Sequence, residues 1–298
     1  MECREELLEK LLIFGGSGLL GSHATLYFEK IGFDVYSVYN KHSNFPNKKN
    51  EIQLNVMDQS GLWNLLSTLS PDVVLNCSGL TSVEDCEAHP EQAKFLHETF
   101  PETLARYTAN NTSKYIHIST DHLWEGERSF YKETDPTNPI NVYGKTKAKG
   151  EQLVLTENPS SLVIRTNFFG NGLNWRQSFS DWVIEKLKLN EKFYGYNDIY
   201  YTPISIPYLL EFLNRVLELD CNGTFNIAGS ERVSKYHFIK KFADLMQFSS
   251  DHLEVSRYID NPAKIPRPMD MSLDTTKLSK AIGLIPPNIE ESIRSILI

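Results

Sequence analysis

The sequence has few cysteines and lacks any apolar run near the roughly 18–20 residues that a membrane-spanning helix needs. Its four cysteines (Cys3, Cys77, Cys86 and Cys221) form neither a C-x-x-C pair nor a zinc-type spacing, and its histidines form no H-E-x-x-H pattern, so we expect no metal site. The opening residues MECREELLEK lack the basic and apolar regions of a secretory signal. These absences predict a cytoplasmic protein with free thiols and no membrane partner.

Basic charge is also scarce. The chain has 30 lysines and arginines against 38 aspartates and glutamates, for a net charge of −8, and Lys48-Lys49 is too short a basic run to form a nucleic-acid surface. We therefore expect no nucleic-acid partner. With 298 residues, 41 % of them hydrophobic, the chain has the composition of an ordinary globular protein of one large or two small domains.

Short apolar runs alternate with amphipathic segments through the first half of the chain. This alternation predicts parallel strands joined by crossover helices. Two of the runs, DVVLN and YIHIS, are almost continuously apolar, as expected of strands that helices cover on both faces. The expected fold is α/β, a Rossmann-type doubly wound parallel sheet. The predicted strands are 11–14, 34–38, 72–76, 115–119 and 162–165, and the predicted helices are 19–30, 58–69, 90–109 and 142–156.

The second half of the sequence is less regular. Loops rich in Pro, Asn and Tyr separate helices predicted at 175–189, 207–218, 234–246 and 288–297. We interpret residues 1–166 as an NADP-binding Rossmann domain and residues 167–298 as a smaller α+β substrate-binding region. The segment near 201–226 is predicted to return to the sheet of the first domain.

A glycine-rich segment, GGSGLLG, follows the first predicted strand and opens the first predicted helix. It contains two overlapping fingerprints, Gly16-x-Gly18-x-x-Gly21 and Gly15-x-x-Gly18-x-x-Gly21. Glycine suits such a loop because the turn is tight and the backbone must approach a pyrophosphate closely. The helix that follows offers unpaired N–H groups and the positive end of its dipole to that anion. The segment predicts a dinucleotide site.

The end of the second predicted strand bears on which dinucleotide is bound. An NAD site usually has a carboxylate there for the ribose 2′-hydroxyl. This strand ends in Tyr39-Asn40-Lys41-His42, without a carboxylate. Lys41 is suited to bind a 2′-phosphate, which favours NADP (NADPH) as the cofactor. The alternatives are that the cofactor is NAD and that Lys41 is a solvated loop lysine.

A tyrosine and a lysine lie four residues apart at the start of the predicted helix 142–156. Tyr143 and Lys147 therefore share a helix face. A cation about 5 Å from a phenol, at an effective dielectric near 20, favours the phenolate by roughly 3 kcal/mol, or about two pKa units. The preceding strand ends in Ser119-Thr120-Asp121, at the sheet edge where ligands of α/β folds bind. The three side chains of Thr120, Tyr143 and Lys147 predict proton-transfer chemistry on a carbonyl substrate.

Several longer blocks carry a family resemblance. The chain resembles the extended short-chain dehydrogenases/reductases, and within them the dTDP-4-dehydrorhamnose reductases and the related regulatory β subunit of methionine adenosyltransferase. The resemblance covers nearly the whole chain. Its blocks are LIFGGSGLLGSH, PDVVLNCSGLTSVEDCE, HISTDHLWEG, YKETDPTNPINVYGKTKAKGE, LVIRTNFFG, YTPISIPYLL and RPMDMSLDTTKL.

The resemblance implies roles for particular positions. Thr120, Tyr143 and Lys147 match the catalytic hydroxyl, the proton donor and the lysine that also holds the nicotinamide ribose. The implied reaction is hydride transfer from NADPH to C4 of a nucleotide-linked 4-keto-6-deoxy sugar. The implied cofactor contacts, beside Tyr143, Lys147 and Lys41, are Gly15, Ser17, Gly18, Leu20, Gly21, Asn76, Cys77, Ser78 and Gly79.

The chain also departs from the family pattern, and the departures concern the presumed sugar pocket. The positions expected to face the substrate are Thr81, His122 and Phe168. His122 stands where the reductases usually have Tyr, and Phe168 where they usually have Trp. Further departures are Leu80, Glu84-Asp85, Trp124 and Tyr200-Tyr201. Arg165 and Arg267 are expected to contact the strand end and the nucleotide phosphates, or else to form surface ion pairs.

Three functions remain open from the sequence. The first is an NADP-dependent nucleotide-sugar reductase with a nucleotide-sugar partner as substrate. The second is a non-catalytic NADP-binding regulatory subunit that binds methionine adenosyltransferase, and the third is a nucleotide-sugar epimerase or dehydratase on the same fold. A homodimer is compatible with the family, although the charge pattern does not demand one.

Overall fold

The computed structural model describes residues 8–46, 48–172, 177–260 and 265–297. Within these ranges the chain forms thirteen strands. They are β1 (Lys10–Phe14), β2 (Asp34–Tyr39), β3 (Glu51–Gln53), β4 (Val73–Asn76), β5 (Lys114–Ile118), β6 (Leu162–Arg165), β7 (Phe168–Phe169), β8 (Phe193–Tyr196), β9 (Tyr200–Tyr201), β10 (Ile204–Ser205), β11 (Gly223–Asn226), β12 (Val233–Ser234) and β13 (Leu253–Ser256).

Eleven α-helices accompany these strands in the described residues. They are α1 (Leu19–Lys30), α2 (Gln59–Leu69), α3 (Val83–Ala88), α4 (Pro90–Lys94), α5 (Phe100–Asn110), α6 (Val142–Glu157), α7 (Phe179–Leu189), α8 (Ile206–Glu218), α9 (Lys235–Leu245), α10 (Thr276–Ile282) and α11 (Ile289–Arg294). The helix predicted at 175–189 begins at Phe179, and Trp175 lies outside the described residues.

Seven strands form one parallel sheet in the order β11-β6-β5-β4-β1-β2-β3. From β1 the chain moves outward through β2 and β3, then returns to the other side of β1 and continues through β4, β5, β6 and β11. This arrangement confirms the predicted doubly wound α/β class. The strand order reverses between β1 and β4, and in such sheets the crevice at the reversal is where ligands bind.

Apolar side chains fill both faces of the sheet. Along β1, Leu11 and Ile13 enter one buried cluster while Leu12 and Phe14 enter another, and all four are fully buried. Successive strand residues point to opposite faces, so a strand covered by helices on both sides needs apolar residues at every position. This is why the strand runs read as almost continuous apolar stretches.

The helix predicted at 90–109 is interrupted. A π-helical turn, Phe95–Thr99, lies between α4 and α5. Pro101 has no N–H, so it cannot bond the His97 carbonyl one turn earlier. Helix α6 approaches at this point, where a Cβ added to Gly150 would stand only 1.8 Å from the His97 carbonyl oxygen. The π turn thus places His97 against α6, and such turns are frequent at functional sites.

The part of the chain after β6 packs a second apolar core beside the sheet. Three two-stranded sheets (β7 with β10, β9 with β12, β8 with β13) and helices α7, α9 and α11 surround Phe169, Phe238, Phe242 and Ile293. The chain re-enters the main sheet at β11, which pairs in parallel with β6. Division into domains at 166/167 stays a prediction.

Arg165 is the last residue of β6, and its ion pair is buried instead of lying at the surface. Its guanidinium is buried and bonds the Glu151 carboxylate of α6, with Nε 3.1 Å from both oxygens and NH2 2.7 Å from Oε2. It also lies 5.2 Å from the centroid of the Trp124 ring, which itself stacks on Tyr131. This ion pair joins the end of β6 to α6.

We predict that Arg165→Met lowers the free energy of unfolding by about 3–5 kcal/mol, because it leaves the Glu151 carboxylate buried without its partner. The control is Arg106→Met, which removes an exposed pair with Glu157 and should cost about 1 kcal/mol or less. Urea denaturation measures both. Equal losses in the two variants would contradict the assignment of a buried structural pair.

Candidate active site

A cleft of about 700 Å³ opens at the carboxyl ends of β1, β4, β5 and β6, where the strand order reverses. Residues from both halves of the chain line it, including the glycine loop, the start of α6 and the loop after β6. The cleft therefore lies where the topology predicts a ligand site.

The glycine loop forms one end of the cleft. Gly15 has a φ of +78°, and a Cβ there would stand 2.7 Å from the backbone nitrogen of Ser78, so only glycine fits. The loop closes through a hydrogen bond of 2.9 Å from the Gly18 N–H to the Gly15 carbonyl. Gly18 caps α1 without a side-chain hydrogen bond, which leaves the first N–H groups of the helix open to an anion.

Most of the predicted loop residues face the cleft. Gly15, Ser17, Gly18 and Leu20 line it, whereas Gly21 lies behind them in α1. Asn44, which the sequence reasoning missed, donates from Nδ2 to the Ser17 carbonyl at 2.9 Å and so supports the loop from outside. An isolated loop asparagine gives no sequence signal of that role.

Lys41 does not line the cleft. It is exposed, whereas its neighbours Tyr39 and Asn40 form part of the wall. The structure places Lys41 beside the rim, so its contact with a 2′-phosphate stays a prediction.

The end of β4 forms the cleft wall beside the glycine loop. Cys77, Ser78 and Gly79 line the cleft, but Asn76 is fully buried beneath them. The Asn76 Oδ1 accepts from the Ser78 N–H at 3.0 Å and from its hydroxyl at 2.5 Å. Asn76 therefore shapes the loop instead of lining the cleft. Burial raises the pKa of the Cys77 thiol to about 12, which keeps it protonated.

Thr120, Tyr143 and Lys147 meet at one wall of the cleft. Thr120 and Lys147 are buried, and the Lys147 Nζ donates a hydrogen bond of 2.7 Å to the Ile118 carbonyl at the end of β5. Burial lowers the pKa of Lys147 to about 8. The same residues that the sequence singled out are thus adjacent in space.

The electrostatic expectation for Tyr143 was wrong. Burial raises the pKa of the phenol, the Asp121 carboxylate raises it further, and only a hydrogen bond with Thr120 lowers it. The Lys147 ammonium donates to the Ile118 carbonyl, and burial has the largest effect on the pKa of the phenol. Tyr143 is therefore a neutral phenol at physiological pH, which is the form that can donate a proton.

Two histidines enclose Tyr143. The rings of His97 and His122 pack edge-to-face against the Tyr143 ring, with centroids 5.7 and 5.5 Å away. Burial lowers the pKa of both histidines to about 3, so both are neutral near pH 7. They make the surroundings of the phenol aromatic and uncharged.

His97 was missed in the sequence reasoning. Its Nε2 accepts from the Leu80 N–H at 3.0 Å, so Nδ1 carries the proton and donates to the Thr146 hydroxyl at 2.8 Å. The ring thereby connects the Leu80 loop to α6. In the sequence, a histidine inside an amphipathic helix resembles an ordinary core residue. The π turn, which directs the His97 ring toward α6, is visible only in the structure.

The remaining wall is the predicted sugar side. Thr81, His122 and Phe168 all line the cleft, joined by Phe179 and Asn167. Trp124 and Tyr201 are buried away from the cleft lining, so not all of the family departures belong to the pocket.

Arg267 lies at the mouth of the cleft. It forms an ion pair with Glu84 of α3, and its hydrogen bond lowers the pKa of that carboxyl. The pair connects the last part of the chain to the Rossmann half across the opening. Arg267 thus forms an ion pair, which was one of the two expectations for it. Its side chain also lines the cleft.

The chain belongs to a known family: the family model RmlD substrate binding domain matches residues 9–298. It is 28 % identical over 95 % of its length to the probable low-salt glycan biosynthesis reductase Agl14 of Haloferax volcanii, of which 96 % is covered. It is 26 % identical over 92 % of its length to the methionine adenosyltransferase 2 subunit beta of Xenopus tropicalis, of which 83 % is covered.

The fold is also similar to that of a solved structure. The dTDP-4-dehydrorhamnose reductase of Bacillus anthracis in complex with NADP superposes with a TM-score of 0.87 at 21 % identity, covering 98 % of this chain and 99 % of that one. The predicted resemblance to these reductases and to the β subunit is confirmed.

Across the described ranges, no group of three or more His, Cys, Asp or Glu side chains is arranged to hold a metal ion. In the same part of the chain, no helix combines the length and apolar character that crossing a membrane requires.

We predict that His97→Gln reduces the pH dependence of stability between pH 7 and 5. Because the folded pKa of His97 is about 3 and the unfolded value about 6.5, the unfolded chain binds more protons in this range, and stability falls as pH falls. From pH 7 to pH 5 this amounts to about 2 kcal/mol for one imidazole. Urea denaturation of wild type, His97→Gln and the exposed control His252→Gln at both pH values measures it. An unchanged slope in His97→Gln would contradict the neutral, buried assignment.

Proposed function

We propose that the protein reduces a nucleotide-linked 4-keto-6-deoxy sugar with NADPH, as a dTDP-4-dehydrorhamnose reductase-like enzyme. The observation that carries the proposal is the meeting of Thr120, Tyr143 and Lys147 at the wall of a cleft whose other end is the glycine loop. Membership in a family that includes reductases supports the reaction class.

The cleft fits a nicotinamide dinucleotide in two respects. The glycine loop leads into the first turn of α1, where Gly18 caps the helix without a side-chain hydrogen bond, so the first N–H groups can bind a pyrophosphate. Deeper in the cleft, the buried hydroxyls of Ser119 and Thr166 have no hydrogen-bond partner among the described residues. A carboxamide has the donor and acceptor groups that such hydroxyls need. A structural neighbour holds NADP, and others hold NAD.

NADPH, when bound, supplies the hydride. The protein supplies the proton: the neutral Tyr143 phenol donates it to the carbonyl oxygen of the sugar as negative charge develops there. The Thr120 hydroxyl and the Lys147 ammonium stabilise that oxygen and the phenolate left behind. Hydride and proton together convert the ketone to an alcohol, and solvent then reprotonates Tyr143.

Both halves of the chain contribute to the lining of the cleft. Residues 1–166 supply the presumed cofactor side together with Thr81 and His122 of the sugar side. The later half adds Phe168, Phe179 and Arg267, which supports the proposed substrate-binding region at 167–298. Arg267 is positioned to exchange Glu84 for the phosphates of a nucleotide sugar.

A non-catalytic role is the second candidate. Methionine adenosyltransferase 2 β subunits resemble this chain almost as much as the reductases do, at 25–27 % identity against 27–28 %. Burial raises the pKa of Tyr143, and Lys147 donates to the Ile118 carbonyl. Both features are compatible with a catalytic proton donor and with a regulatory subunit that performs no reaction. Co-purification with methionine adenosyltransferase in the absence of NADPH oxidation would favour this role.

We predict that Tyr143→Phe lowers kcat for NADPH oxidation with dTDP-4-keto-6-deoxy sugars by about 10²–10⁴-fold, because the variant keeps the aromatic ring but lacks the hydroxyl that donates the proton. NADPH affinity should stay within about twofold of wild type. The matched control is Tyr194→Phe, since Tyr194 is exposed and is not among the residues that line the cleft. Turnover of Tyr143→Phe at the wild-type rate would sink the assigned role.

We also predict that NADPH binds more tightly than NADH, and that Lys41→Ala narrows the difference by about two- to fivefold, a modest effect because Lys41 is exposed. Fluorescence titration of both cofactors measures it, with the exposed Lys49→Ala as control. Tighter NADH binding, or NAD retained through purification, would favour the epimerase or dehydratase alternative instead.

A further inference from the structure

Asn141 is the buried residue that precedes α6, two positions before Tyr143. Its side-chain amide makes two hydrogen bonds. Oδ1 accepts from the Gly144 N–H at 2.9 Å and so caps the helix, while Nδ2 donates to the Pro266 carbonyl at 3.0 Å. Only one orientation of the amide suits both partners, because Oδ1 has to meet the N–H and Nδ2 the carbonyl. One side chain therefore connects the start of α6 to a segment 125 residues further along the chain.

Capping alone does not require this residue type. An N-cap needs an acceptor for the N–H groups of the first turn, which Ser, Thr and Asp supply as well as Asn. The first turn of α6 has a further acceptor, since the Glu87 carboxylate accepts from the Val142 N–H at 2.8 Å. The feature that Asn141 adds is a separate donor on the same side chain, and that donor binds Pro266.

Pro266 belongs to a stiff part of the chain at the opening of the cleft, residues 265–269, which we call the mouth segment. Proline on either side of Arg267 fixes two φ angles of this segment. Gly126 packs so closely against it that a Cβ there would stand 2.6 Å from the Met269 nitrogen. Because the backbone around Arg267 is stiff, the contact at Pro266 helps to determine where the guanidinium lies.

Arg267 is held on a second side as well, since its N–H donates to the Tyr258 hydroxyl at 3.2 Å. Its side chain lines the cleft, as Tyr143 does, and forms an ion pair with Glu84. The two side chains of this pair are 38 % and 56 % exposed, so an anionic ligand can displace the carboxylate at little cost. Asn141 thus joins two segments of which one carries a cation and the other carries the phenol.

We propose that Asn141 is a positioning residue for the substrate: by holding the mouth segment against the start of α6, it sets the separation between the Arg267 guanidinium and the Tyr143 phenol. A ligand that fits this arrangement has an anionic group at one end and a carbonyl at the other. That this ligand is a nucleotide sugar rests on the proposed function. Asn141 is not among the residues that line the cleft, so it acts through the residues that it holds.

The test uses the full chain saturated with NADP⁺ and measures the affinity for dTDP by calorimetry. Asn141→Ser keeps an acceptor for the cap but loses the donor to Pro266, and it should weaken dTDP binding by about three- to tenfold. The affinity for NADP⁺ should stay within about twofold of wild type. The matched control is Asn288→Ser, because Asn288 caps α11 in the same way, by accepting from the Glu291 N–H at 2.9 Å, but is exposed. The control should bind dTDP as wild type does.

A double-mutant cycle separates positioning from a general structural role. Arg267→Met alone should weaken dTDP binding by about tenfold. Adding Asn141→Ser to it should cause no further loss, because Asn141 affects dTDP through the guanidinium. If Asn141→Ser does not fold, Asn141→Asp takes its place in the cycle, since Asp keeps the shape of the side chain and the cap.

Four results would overturn the proposal. They are multiplication of the two losses in the double variant, wild-type dTDP affinity in Asn141→Ser, absence of dTDP binding by wild type, and a joint loss of dTDP affinity, NADP⁺ affinity and stability to urea in Asn141→Ser.

NADPH oxidation is measured separately, so that the two proposals can fail independently. If neither wild type nor any variant oxidises NADPH, yet the dTDP affinities follow the cycle, the reduction is wrong and the role of Asn141 stands. If wild type reduces the keto sugar and Asn141→Ser keeps the wild-type KM and dTDP affinity, the reduction stands and the role of Asn141 is wrong.

Discussion

The hydrogen bond from the Lys147 ammonium to the Ile118 carbonyl, 2.7 Å long, joins helix α6 to the end of strand β5. The bond is buried, and a buried ammonium without an acceptor would lower the stability of the fold. It fixes the start of α6 to the strand end, and Tyr143 of α6 and Thr120 after β5 line the same cleft. The His97–Thr146 hydrogen bond and the Arg165–Glu151 ion pair hold the same helix.

The same burial determines the chemistry available at this wall. Desolvation raises the pKa of Tyr143 and lowers that of Lys147, so both groups are pushed toward their neutral forms. A neutral phenol suits a reduction, in which the enzyme must give a proton, better than it suits an oxidation. The neutral rings of His97 and His122 preserve this environment because neither adds a charge near pH 7.

Much of the sheet and of the cleft follows from sequence because local rules determine them. The apolar runs of β1 and β4 and the glycine loop obey backbone and burial constraints that act within a few residues. The Coulomb estimate for Tyr143 failed because spacing on a helix face gives proximity but not the direction of the ammonium. His97 and Asn44 were missed because their roles depend on contacts between distant segments. Asn76 was assigned to the cofactor although it lies beneath the loop.

Following the hydride is the most direct test of the proposed reaction. Wild-type protein is incubated with a dTDP-4-keto-6-deoxy sugar and NADPH in which deuterium replaces both hydrogens at C4 of the nicotinamide, and the sugar is analysed by mass spectrometry and NMR. We predict one deuterium per product molecule, located at C4 of the sugar. Unlabelled sugar recovered with its ketone intact, while the protein still binds NADPH, would contradict it.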